Sequence, residues 1–228
     1  MPGRLGLVLL AVLSLAGTAF AAGSAGNPRD PQKRYNAADQ SWARSMRIGR
    51  ADLGQGDWRV EQSPTDDSGA PAGCKDPNLS DLVITGEAEN PDWSRNGSFV
   101  GSGAEVWSNE RQAAIAWKRN TSVPLARCIA TSILRQVGQD PRLKFTVQAK
   151  GHVKLPNLAP RIYSYGMRFR IAGPGATLNG RIGFYAFGRG RADSSLLVIS
   201  FSAPLTPISP AVERHLATLV ANRLKHSS

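Results

Sequence analysis

Hydrophobic positions follow two regimes along this chain. Up to about residue 140 they come in short bursts or at helical spacing; beyond it they mostly alternate with polar ones. Leu143, Phe145, Val147 and Ala149 point one way, while Lys144, Thr146, Gln148 and Lys150 point the other. This is the two-residue period of a strand with one covered face. Pro156 and Pro160 bracket a turn, after which Tyr163, Tyr165, Met167, Phe169 and Ile171 repeat the alternation with Arg168 and Arg170 opposite. GPGATLNG turns the chain, residues 181–187 predict a third strand, GRGRAD turns it again, and residues 195–201 predict a fourth. These last two are apolar on both faces, which places them inside a sheet rather than at its rim.

Helical spacing flanks this meander. Asn36 can cap a helix over residues 37–46, with Trp42 and Met46 on one side. A short extended piece follows around Trp58 and Val60, then a turn-rich loop over 62–78. A strand lies within 79–87, a loop over 88–98, and a strand over 99–107 whose glycines suggest a bulge or close backbone approach. Glu110 and Arg111 begin a helix carrying Ala113, Ala114, Ala116 and Trp117. Pro124 opens another, in which Leu125, Cys128, Ile129, Ser132, Ile133 and Val137 share a face until Gly138 ends it. Ser209 and Pro210 start a final helix striped by Val212, Leu216, Leu219, Val220 and Leu224. The order predicts an α+β fold: a mostly antiparallel β-sheet with helices packed on one face, forming a single domain over residues 36–225.

The first residues do not belong to that pattern. Arg4 precedes an almost wholly apolar run from Leu5 to Leu15, and small residues gather at Ala19, Ala21 and Ala22. This is the layout of a signal peptide over residues 1–22, and its core is too short to span a bilayer. Residues 23–35, rich in Gly, Pro and charge, read as a flexible linker. The expected location is extracytoplasmic: periplasm, cell wall or medium. An oxidising compartment changes the reading of Cys74 and Cys128, the only two cysteines, which are expected to form a disulfide.

Composition narrows the choices further. The 228 residues include 28 Lys and Arg against 17 Asp and Glu, with three His and five Trp. Enough apolar surface is present to exclude disorder along the whole chain. Two cysteines and three scattered histidines are a poor supply of metal ligands, so no metal or cofactor is expected. The charge is polarised. Residues 141–228 hold 13 Lys and Arg against two acids, Asp193 and Glu213, whereas residues 23–92 hold 12 acids and eight bases. Lys144, Arg168, Arg170 and Arg181 fall on strands and are the candidate anion-binding residues. The candidate partners are an anionic wall polymer, a lipid surface or an envelope protein. Nucleic acid is not expected, because no recognition motif accompanies the charge. The acidic amino-terminal part is also placed to lie against the basic part within one molecule.

The sequence lacks a G-x-S-x-G elbow, an H-E-x-x-H pair and a phosphate loop ending in Gly-Lys-Ser/Thr. Asp66-Asp67 and Glu87-x-Glu89 read as solvated carboxylates, and His152, His215 and His226 as ordinary surface or boundary residues. The expectation is an exported non-enzymatic accessory or ligand-binding protein. The alternative is a secreted hydrolase-like enzyme whose residues converge only in three dimensions.

The export signal and the segments GSFVGSGAEVW, LARCIA and GRGRADSSLLVIS resemble small exported proteins of high-GC Gram-positive bacteria. The order of elements is similar to the PknH-like extracellular sensor domain, related in shape to the PsbP and Mog1 fold. The resemblance covers roughly residues 36–225 and implies sensing or ligand binding outside the cell. It departs in its cysteines, since two can form one disulfide where the kinase-linked domains have two. It carries over no functional residue.

Overall fold

A computed structural model describes residues 28–61, 77–89, 92–122, 128, 142–174, 176–202 and 207–225. The chain enters through β1 (Gln32–Lys33), α1 (Ala37–Met46), a single 3-10 turn (Arg50–Leu53) and β2 (Arg59–Glu61). It continues through β3 (Val83–Glu89), β4 (Asp92–Arg95), β5 (Ser98–Trp107) and α2 (Glu110–Ser122). The meander is β6 (Lys144–Gly151), β7 (Arg161–Gly173), β8 (Ala176–Arg189) and β9 (Ala192–Phe201), and α3 (Pro210–Arg223) closes the chain.

The strands form one sheet in the order β1-β3-β5-β9-β8-β7-β6, with β4 beside β5 and β2 beside β4. Among the described residues only β1 runs parallel to its neighbour, setting Gln32 against Val83 and Lys33 against Ile84. The other ladders are antiparallel. The result is a single α+β domain.

Its central strands are buried as their sequence predicts. Val100, Val106, Phe187, Leu196 and Val198 on one side meet Ala43 and Met46 of α1 and Leu216, Ala217 and Val220 of α3. The register then gathers Met167, Phe169, Ile182, Phe184, Leu197, Ile199 and Phe99 into a second cluster. A third cluster joins Ile84 and Trp107 to Ala113 and Ala116 of α2.

Local chemistry sets the helix ends. Asn36 accepts from the Asp39 amide at 2.9 Å, and Ser209 accepts from the Val212 amide at 3.2 Å with Pro210 opening the helix. Both caps stand where the sequence predicts them.

Four features differ from the sequence expectation or fall outside the described residues. Residues 88–98, expected as a loop, contain β4, which turns into β5 through Asn96-Gly97. Both turn residues have positive φ, 46° and 78°, the backbone of the tightest hairpin turns, which Asn-Gly adopts at little cost. Within the segment read as linker, Gln32–Lys33 is a strand of the sheet. Residues 1–27, the loop 62–76, and the helix expected from Pro124 lie outside the described residues except for Cys128. The expected Cys74–Cys128 disulfide falls partly outside the described residues, because Cys74 is not among them. Cys128 itself is buried and is not a free thiol.

Candidate functional site

Much of the arginine in this basic chain is engaged inside the fold. Asp39 of α1 is 4% exposed and receives both Arg191 Nη atoms, at 2.5 and 2.6 Å. Thr85 Oγ1 and Asn36 Nδ2 donate to the same carboxylate at 2.6 and 2.8 Å. The Arg191 bonds, helped by Thr85 and Asn36, hold Asp39 well below the usual carboxylate range despite its burial. Arg191 also lies over the Trp42 ring at 5.3 Å, fastening the β8–β9 turn to the first helix.

The same arrangement recurs three times. Arg161 of β7 reaches Asp193 at 2.9 Å and stacks over Trp117 at 5.7 Å. Burial pushes Asp193 up to about 6, against the pull of Arg161 and the Trp107 indole N–H at 3.1 Å. Arg223 of α3 grips Asp52 with two bonds, at 2.8 and 3.0 Å. Arg181 of β8 pairs with Glu213 of α3, which is 5% exposed and also receives the Tyr185 hydroxyl at 2.5 Å. Burial first, then Glu213, pushes the Tyr185 hydroxyl up. Asp39 and Asp52 come from the acidic amino-terminal part and their arginines from the basic part. The anticipated internal neutralisation therefore operates at named pairs.

It stops short of the outer strands. The register sets Arg168 of β7 opposite Arg181 of β8, Arg170 opposite Asn179, Thr146 of β6 opposite Arg170, and Lys144 opposite Ala172. Directly opposed residues share a face. Lys144, Arg168, Arg170 and Arg181 therefore share one side of the β6–β8 sheet. Lys144, Arg168 and Arg170 are exposed, while the Arg181 side chain keeps 26% exposure and turns to Glu213 and the Ile208 carbonyl. Arg170 donates weakly to Thr177 Oγ1 at 3.3 Å. Among the described residues no carboxylate pairs with Lys144, Arg168 or Arg170. The four sequence-predicted residues thus divide into three outward cations and one structural ion pair.

The opposite side of β7 carries aromatics. His152 follows the end of β6 and sits edge-on to Tyr163 and Tyr165, with ring centroids 5.7 and 6.1 Å away. The strand alternation groups Lys150 with Lys144 and Thr146; a register shift between Val147 and Ala149 instead turns Lys150, and His152 two residues on, to the tyrosine side. Its Nδ1 meets the Ser164 carbonyl oxygen at 2.9 Å. Burial raises both tyrosine hydroxyls, most simply at Tyr163. The described contacts of His152 are rings and a backbone carbonyl, which is not a nucleophile–base pairing. Of the expected solvated carboxylates, Glu87 is engaged by Lys33 at 2.9 Å and by the Tyr35 hydroxyl. Asp66, Asp67 and His226 lie outside the described residues.

Among the described residues no group of three or more His, Cys, Asp or Glu could hold a metal ion. No helix among them is long and apolar enough to cross a membrane.

No family model matches the chain, and no curated protein matches it. Among solved structures it is similar to the extracellular domain of PknH from Mycobacterium tuberculosis. The match covers 84% of this chain and 100% of that one, at 9% identity and a TM-score of 0.44. This is a weak likeness of shape, in line with the resemblance read from the order of elements.

Proposed function

We propose that this protein is an exported, non-enzymatic accessory protein that binds an anionic partner through the outer β6–β7 face. The carrying observation is that Lys144, Arg168 and Arg170 share one exposed face without a described carboxylate, while neighbouring arginines are matched to acids. The strand backbone sets the spacing of these cations, so the ordering cost of binding lies in their side-chain rotamers alone. Such a face attracts polyanions at long range and holds them by charge-assisted hydrogen bonds. The signal-like residues 4–22 support a partner outside the cytoplasm.

Binding to polyglutamate, and to vesicles with and without anionic lipid, tests this reading across a salt series. Affinity should fall steeply as ionic strength rises. The combined Lys144→Gln, Arg168→Gln and Arg170→Gln variant should bind at least about tenfold more weakly, the scale of roughly 1.4 kcal/mol. Salt-independent binding, or undiminished binding by the triple variant, would contradict it.

A further inference from the structure

β6 ends the sheet, and among the described residues no strand pairs with its outer edge. It is eight residues long, and its exposure alternates: Lys144, Thr146 and Gln148 are exposed, Phe145 and Val147 half-buried. Phe145 stacks on Phe169 at 5.3 Å, so the apolar row continues the core while keeping part of its surface in solvent. An open edge of this length presents unpaired amide and carbonyl groups that template another strand.

The identity of that strand follows from what flanks the edge. Lys144 and Lys150 stand toward its two ends, and the register shift near Gln148 bends it. A second copy pairing antiparallel would bring two more lysines to an edge that already carries two, which is unfavourable. An acidic strand meets no such repulsion. Its alternate side chains would face Lys144 and Thr146 on β6 and, one strand further in, Arg168 and Arg170. Its other side chains would lie beside Phe145 and Val147. A headgroup surface or a non-peptide polymer could satisfy the charges but not the backbone edge or the apolar row.

We infer that β6 is a docking edge for an extended peptide segment of a partner protein, alternating acidic and apolar residues, which adds a strand to the sheet. This rests on the anion-binding reading of the same face and names the partner as a polypeptide.

The test titrates the full chain with capped peptides of about eight residues, matching the length of β6. One alternates Glu and Val, one carries the same residues in two blocks, and one is the alternating peptide N-methylated at every residue, which blocks both of its edges. Polyglutamate is measured in parallel. The alternating peptide should bind, slow hydrogen exchange at β6 amides, and outbind the block and N-methylated forms by at least about tenfold. Equal binding of alternating and block peptides would overturn strand docking while leaving anion binding intact. Failure of the alternating peptide to bind would also overturn it. Loss of polyglutamate binding as well would remove the underlying reading.

Discussion

Asp39 shows how one carboxylate can organise a junction. It joins α1 to the β8–β9 turn through Arg191 and to β3 through Thr85. Removing the guanidinium leaves a buried charge with too few partners. Arg191→Ala should therefore destabilise the fold by about 3 kcal/mol, the low end for buried pairs. The low end applies because the Arg191 side chain keeps 36% of its surface in solvent. Chemical denaturation measures the difference. The pH dependence has a definite sign. Asp39 titrates lower in the folded chain than in the unfolded one, so its contribution is fully present above the ordinary carboxylate range and is lost as pH falls below it. Asp193 acts in the opposite sense. With its carboxyl raised to about 6, the folded chain binds the extra proton, and stability falls as pH rises from about 4 to 6. Asp193→Asn should abolish that decline, and Asp39→Asn should flatten the acid limb. A variant with Asp193 replaced that still loses stability over the same interval would contradict the assignment.

At the scale of elements, α3 approaches β8 over Gly183. A Cβ there would stand 1.9 Å from Glu213 Oε1 and 2.8 Å from the Tyr185 hydroxyl, inside the Arg181–Glu213–Tyr185 group. Gly183→Ala should therefore cost about 2–4 kcal/mol in denaturation experiments, as overpacking at a buried polar group does. A near-neutral result would mean that α3 can withdraw from the sheet without loss. The elements themselves were largely legible. Strand β7 shows a two-residue period, β9 reads as an apolar run covered on both faces, and local caps such as Asn36 and Ser209 announce helix starts. β4 was not legible from hydrophobicity: it is four residues long, so its alternation barely completes two periods. The usable signal was Asn96-Gly97, whose turn chemistry implies a strand on either side. The bulge in β6 left no sequence signal, so the strand pattern groups Lys150 with Lys144 and Thr146, whereas the register turns it to the other side.

For the whole molecule, net charge is a poor guide to free charge. The formal +11 includes arginines whose cost of burial is offset by Asp39, Asp52, Asp193 and Glu213. The strand period showed that Lys144, Arg168, Arg170 and Arg181 could share a face. It could not show that Arg181 alone meets Glu213, because that contact joins β8 to a helix 32 residues later in the chain, from Arg181 to Glu213. Non-local pairing of this kind divides structural cations from outward ones, and no local pattern encodes it. The division predicts that neighbouring arginines behave differently. Comparing Arg170→Gln with Arg181→Gln, each assayed for stability and for polyglutamate affinity, tests it most directly. Arg170→Gln should weaken binding and leave the denaturation midpoint in place, whereas Arg181→Gln should lower the midpoint. If Arg170→Gln binds like the parent chain while the folded Arg181→Gln protein does not bind, the outward face is not where the anion sits.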